Sequence, residues 1–339
     1  MMKYAHLHAL FLIFVFCTSS KGQKKTDLPT DTIKSEYKDV ITSHGPGRMV
    51  RTIRQDRNGN IWLASPEGII RYDGKSFTNI TSKVSSARFF SVLEDRKGNF
   101  WFASIGSGVY YYNGKSFLNY TTQEGLANDR VPFIYEDKIG NVWFGTESGA
   151  SRNDGKSFRN YKMNEESPDS NVWAKYDNDV NSIIEDKTGK FWFGTSGKAF
   201  IYDGKTFTIL THNGKPFTNV RTIIEDKKGN IWLAGYDGLW RYDGSTFTNF
   251  TQNFVGYIYE DKDGNIWTSS QRANDDRWIL SRYDVKSLYN EKPTVTEIES
   301  KYEGNKGMMF GILEAPDGSI WYGGGDGVYR YDGNTITRL

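Results

Sequence analysis

The sequence predicts an all-β fold: a single seven-bladed β-propeller made of four-stranded antiparallel blades. Three observations carry that prediction. The pattern aliphatic–x–Glu–Asp–x–x–Gly–Asn–aliphatic–Trp recurs with small departures, and its tryptophan falls at Trp62, Trp101, Trp143, Trp192, Trp232, Trp267 and Trp321, so seven of the ten tryptophans occupy one slot. Those tryptophans are 39, 42, 49, 40, 35 and 54 residues apart, close to the ~40-residue period of a propeller blade. Composition agrees: 15% of the residues are aromatic, 35 are glycine and only 8 are proline, a balance that suits short strands joined by turns.

The copy around Trp232 shows how one blade is written. VRTIIED (220–226) is strand one, and KKGN is a tight turn in which Gly229 supplies a positive φ. IWLAG (231–235), LWRYD (239–243) and FTNFT (247–251) follow as strands two, three and four, separated by YDG and GST. Three residues before the turn aspartate the side chain is always aliphatic and β-branched: Ile53, Val92, Ile134, Ile183, Ile223, Ile258 and Ile312. These side chains and the tryptophans are expected to point between blades. A buried tryptophan removes roughly 150–250 Å² from water, about 4–6 kcal/mol as an upper bound. One blade cannot bury both of its faces alone, so the repeats must stack. The turn fixes the hairpin register that puts each tryptophan on the packing face.

The propeller is assigned to residues 36–339, its first repeat beginning near Met49. EYKDVIT (36–42) reads like a strand four, yet the last repeat has its own, TITRL (335–339). The early segment either clasps the last blade or packs outside the ring. Residues 1–22 read as a secretory signal peptide: a short basic start, an apolar run from Ala9 to Phe16 and then small polar residues, too short to span a bilayer. Ser20 and Gly22 suit ordinary cleavage before Gln23. Cys17 offers a lipoprotein reading instead, although Phe16 stands where a small residue is usual. As the only cysteine, Cys17 leaves the mature fold without a disulfide. Residues 23–35 are polar and read as a flexible linker. No other apolar run approaches membrane length. Contact with a membrane is expected only through a lipid on Cys17.

IIEDKKGNIWLAGYDGLWRYDG (223–244) resembles the two-component regulator propeller repeat, and the resemblance extends over all seven copies. It implies a sensing module of the kind found in the periplasmic halves of bacterial hybrid two-component systems. Signalling members of that family usually add a second propeller, a β-sandwich, a membrane helix and a kinase. The resemblance therefore implies a binding role in the periplasm or on the surface of a Gram-negative-type bacterium, with a glycan or other small molecule as ligand and a membrane sensor or transporter protein as partner. A protein–protein scaffold is the second reading. Streptogramin-inactivating lyases also build seven-bladed propellers from Gly-Asn-hydrophobic-Trp repeats, and that resemblance implies a third, with His212 and a nearby carboxylate as acid–base groups.

In a four-stranded blade the one-to-two and three-to-four turns share one face of the ring. The others share the opposite face. Here the first set is uniform (Asp-x-x-Gly-Asn, Asp-Gly-Lys-Ser), whereas the second varies sharply. Long connections at 163–179, 270–281 and 299–307 carry Trp173, Lys175, Tyr176, Arg272, Asp275, Asp276, Arg277, Trp278 and Tyr302 to that face. Arg51, Arg88, Arg130 and Arg221 lie near the starts of the inner strands, at the same mouth of the central channel. Irregular loops on a rigid scaffold are where recognition is usually built. Trp173 and Trp278 are candidate stacking platforms, and Lys175, Tyr176, Arg272, Asp275, Arg277, Arg51 and Arg221 candidate polar contacts.

Other signals point nowhere. A net charge of +2 gives no field for nucleic acid. DKDGN (261–265) opens like a calcium loop, but position twelve is Arg272 instead of glutamate, and the other copies lack the second aspartate. No cofactor or metal is expected. Beyond the first 22 residues only His44 and His212 remain, with no nucleophile–base arrangement, paired-His motif or phosphate loop. The Asn-x-Thr triplets at Asn79, Asn119 and Asn249 belong to the strand-four pattern.

Overall fold

The computed structural model describes residues 33–34, 40–165, 174–272, 277–300 and 307–339. Seven antiparallel sheets, each with four strands from one continuous stretch of chain, stand around a central channel. Their inner strands are Thr52–Gln55, Phe89–Glu94, Phe133–Glu136, Val180–Glu185, Val220–Glu225, Val255–Glu260 and Phe310–Glu314. We number the blades 1 to 7 in that order.

The core lies between blades. The β-branched residue of each inner strand faces the preceding blade, and the tryptophan of the next strand faces the following one. Thus Trp62 of blade 1 packs with Phe89, Val92 and Phe102 of blade 2, and Trp192 of blade 4 packs with Val220 and Ile223 of blade 5. The last contact closes the circle: Trp321 of blade 7 packs with Val50, Ile53 and Leu63 of blade 1. All seven β-branched residues are at most 3% exposed, as expected for side chains wedged between sheets.

The turn aspartate does more than set register. In six blades its carboxylate accepts a hydrogen bond from the tryptophan indole N–H six residues on, at 2.7–3.1 Å. The same carboxylate accepts the backbone N–H groups of its own turn, as Asp56 does from Asn58 and Asn60. One buried carboxylate thereby satisfies the turn amides and the one polar atom of a buried indole. Blade 7 has Ala315 in this slot, and Trp321 turns its N–H to Ser319 Oγ at 3.3 Å.

The glutamate preceding that aspartate joins neighbouring blades. The backbone N–H of Arg57, Arg96, Lys138, Lys187, Lys227 and Lys262 donates to Glu94, Glu136, Glu185, Glu225, Glu260 and Glu314 of the following blade at 2.8–3.0 Å. The seventh junction lacks both partners: Pro316 has no N–H to give, and Gln55 stands in place of the glutamate. The junction of blades 7 and 1 is thus held by apolar packing without the polar latch. Gln55→Glu combined with Pro316→Lys should supply it and raise the unfolding free energy by about 1 kcal/mol. Gln55→Glu alone should give nothing. Urea titrations of the two variants check this.

The amino-terminal segment packs outside the ring and is not a clasp. Val40–Thr42 runs antiparallel to Phe77–Asn79 as a fifth strand on blade 1. Ile33–Lys34, inside the stretch read as a linker, pairs with Ser116 and Phe117 of blade 2. Blade 7 is complete with Ile336–Arg338 as its outer strand. Among the described residues no strand is exchanged to close the circle.

These contacts set the pH dependence of stability. Burial alone would raise the carboxyls of Asp56 and Asp186, but the indole and turn hydrogen bonds hold both below the ordinary carboxylate value. Burial raises the latch residues Glu136 and Glu260, their backbone hydrogen bonds opposing it. A lowered carboxyl contributes stability that is present above its unfolded value and lost as pH falls through the folded one. A raised carboxyl contributes stability that is present at low pH and lost as pH rises through the folded value. The melting temperature should therefore rise slightly as pH falls from neutral toward the ordinary glutamate range, and fall steeply once pH passes below the ordinary aspartate range. Melts followed by circular dichroism test this, and a maximum at pH 7 would contradict it.

Candidate ligand site at the channel mouth

Each inner strand is entered through a buried apolar residue: Val50, Phe89, Val131, Val180, Val220, Val255 and Met309, at most 2% exposed. The next residue in every blade lines the channel: Arg51, Phe90, Pro132, Asn181, Arg221, Gly256 and Phe310. Bulges help to aim it. In blades 2, 4, 5 and 6 the register skips Phe90, Asn181, Arg221 and Gly256, so these are the extra residues of β-bulges. The rim is one repeat position, filled by two arginines, two phenylalanines, a proline, an asparagine and a glycine. It opens into a cavity of about 680 Å³.

Arg51 lies between its two rim neighbours, its guanidinium 4.9 Å from the Phe90 ring centre and 4.3 Å from that of Phe310. Burial and the like charge of Arg221 lower its pKa to about 10, opposed only by Tyr257. Arg221 donates to Asn181 Oδ1 at 3.3 Å, and its Nε is buried without a hydrogen-bond partner among the described residues. Burial lowers its pKa as well, with Asp179 opposing. Asp179 is itself pushed up by burial, against a hydrogen bond from Ser196. By accessible surface both arginines are half-buried.

The sequence-predicted residues divide. Arg51 and Arg221 are on the rim. Trp278 begins the strand Trp278–Tyr283 and meets Phe254 edge-on at 5.4 Å. A Cβ on Gly256 would come within 3.1 Å of its ring, so Trp278 reaches the mouth as a cover over blade 6. Arg272 is elsewhere: it pairs with Glu297 at 3.2 Å and with Glu299. With the exposed Arg277 it lines a separate cavity of about 520 Å³, beside Thr251, Asn253 and Tyr283. Lys175 and Tyr176 belong to the 3-10 turn Ala174–Asn178. That turn is anchored by buried Asp177, which accepts from Lys198 N at 2.9 Å, Lys198 Nζ at 3.2 Å and Asn164 Nδ2 at 3.0 Å. Trp173, Asp275, Asp276 and Tyr302 lie outside the described residues. Arg88 and Arg130 are exposed, and Arg130 pairs with Glu147 at 2.6 Å.

The remaining polar candidates are accounted for locally. His212 sits on a small hairpin, its ring 5.0 Å from Trp240 and 5.4 Å from Phe247, and does not line the channel. The exposed His44 has Nδ1 3.1 Å from the Gly45 carbonyl oxygen. Both carboxylate oxygens of Asp261 are taken by its own turn and by Trp267. The amides of Asn79, Asn119 and Asn249 donate to backbone carbonyls of the neighbouring strand and turn. Sequence reading missed Phe90, Asn181, Phe310 and Met308 as lining residues. Their signal was position, one residue past the buried apolar start of each inner strand, with Met308 just before it.

Comparison with known proteins agrees with this architecture. The family described as two component regulator propeller matches residues 44–67, 125–148, 177–197, 214–237 and 249–272. No curated protein matches. Among solved structures, the chain resembles the extracellular domain of the hybrid two component system BT3049 of B. thetaiotaomicron, with 22% identity, a TM-score of 0.70 and 88% of this chain covered. It spans 42% of the length of that domain. Virginiamycin B lyase of Staphylococcus aureus shares 14% identity at a TM-score of 0.64, with 89% of this chain and 100% of the lyase covered. YCF48 bound to D1 peptide shares 13% identity at a TM-score of 0.57, covering 90% and 98%. Among the described residues no helix is long and apolar enough to cross a membrane.

Proposed function

From a chain built of two-component regulator propeller repeats, we infer an exported, sensor-like binding module without catalytic activity of its own, which recognises a ligand at the channel mouth. The observation that carries this reading is the rim. Six of seven turn aspartates and six of seven latch glutamates repeat unchanged, while the rim position takes five different residue types on the same scaffold. Uniform positions hold the ring together, and this variable position faces a cavity. The signal-peptide reading of residues 1–22, or a lipid on Cys17, supports a module in the periplasm or at the surface. A glycan is one ligand class, with Trp278 beside the mouth as its platform. Against a lyase-like role, His212 packs against two aromatic rings away from the channel. A scaffold that binds only a protein partner is the remaining alternative.

The test is a titration of neutral oligosaccharides and of small organic acids, followed by tryptophan fluorescence, on the wild type and on Pro132→Trp, which narrows the mouth. Binding that the plugged variant loses, with its melting temperature kept, supports the reading. Binding that is indifferent to the plug removes it.

A further inference from the structure

We propose that the channel mouth is a site for an anionic ligand, whose carboxylate or sulfate group is held between Arg51 and Arg221. This deepens the reading above and rests on the mouth being the binding surface. Three features of the mouth carry it. The first is uncompensated charge. A half-buried guanidinium is better off with a counter-charge and acceptors for its five N–H donors. Arg51 has two aromatic faces, which draw the cation but accept none of its in-plane N–H bonds. No carboxylate pairs with Arg51 among the described residues. Arg221 has the single bond to Asn181 and a buried Nε without a partner.

The second feature is like charge at one mouth: Arg51 and Arg221 line the same cavity, and the charge of Arg221 acts against that of Arg51. An oxyanion placed between them converts that repulsion into two attractions. The planar forks of the guanidinium suit the paired oxygens of a carboxylate or sulfate. The third is the absence of competitors. No rim position is acidic. The glutamates at the far end of the inner strands are engaged by the blade latches, and Asp179, the carboxylate that acts on Arg221, bonds Ser196. Phe90, Phe310 and Met308 give the ligand's body an apolar wall. A small acid with a compact ring or chain fits the cavity of about 680 Å³.

Calorimetry on the whole chain at constant ionic strength tests this, with sodium malonate, sulfate and phosphate as probes and cellobiose as the neutral control. The wild type should bind malonate or sulfate. Arg51→Gln or Arg221→Gln should weaken binding at least ~10-fold, the double variant should abolish it, and Arg221→Lys should keep part of it. Without ligand, Arg221→Gln should melt at or above the wild-type temperature, because repulsion is relieved, whereas an arginine needed for folding would lower it. The proposal is overturned if none of the three anions binds the wild type, or if the double variant binds them as well as the wild type. Cellobiose binding that Pro132→Trp abolishes, without anion binding, would overturn the anionic ligand and leave the binding module standing. Anion or cellobiose binding indifferent to Pro132→Trp would overturn both.

Discussion

Trp232→Ala should lower the unfolding free energy by about 3–5 kcal/mol, the largest single-residue effect expected in this protein. The indole is fully buried. It packs with Val255, Ile258, Ile266 and Tyr283 of blade 6 and lies 4.8 Å from Phe250 in its own blade. Alanine would leave a cavity between two sheets whose spacing is fixed on both sides by the rest of the ring. A sheet held in a closed circle cannot move inward without breaking its contact on the opposite face, so little of the cavity can collapse. Guanidinium titrations should show a clear drop in midpoint. A loss under about 1.5 kcal/mol would mean that the blades re-pack freely, contrary to the interlocked arrangement.

Asp226→Ala should cost about 2–4 kcal/mol, although it removes almost no apolar surface. Asp226 is 8% exposed and accepts from Lys228 N at 3.0 Å, Asn230 N and Nδ2 at 2.8 Å and Trp232 Nε1 at 2.8 Å. Its loss strands a turn and a buried indole N–H together. Coupling distinguishes this from simple loss of a turn residue. Trp232→Phe, which deletes the indole N–H, should be less damaging in the Asp226→Ala background than in the wild type. Equal penalties in both backgrounds would show that the aspartate serves the turn alone. Blade 7 is the natural counterpart: Ala315 replaces the aspartate, and Ser319 accepts the indole N–H instead.

The seven repeats, their strand order and the buried positions were legible because each repeat states the same physical requirement again. A β-branched residue at 53, 92, 134, 183, 223, 258 and 312 and a tryptophan on the adjacent strand define opposite faces of one sheet. Seven such sheets leave a closed stack as the way to bury both faces. The variable face was legible too, from the contrast between Asp-x-x-Gly-Asn turns and the long connections. The site within that face was legible only in part. Arg51 and Arg221 line the channel cavity, whereas Arg272 pairs with Glu297 and Glu299 on the outer part of blade 6. Loop length told where the chain wanders, and it could not tell which way a side chain turns.

By itself the sequence determined the number of blades, the register of their first hairpins and the identity of the interblade core, since all three follow from local periodicity and burial. Only the tertiary structure decided how the circle closes, that Val40–Thr42 lies on blade 1 and not on blade 7, and that the latch is absent where Pro316 meets Gln55. It alone decided that bulges aim Phe90, Asn181 and Arg221 into one channel. These outcomes depend on contacts between residues from 35 to almost 300 positions apart, and a repeat pattern fixes what each blade is without saying what two distant blades place face to face.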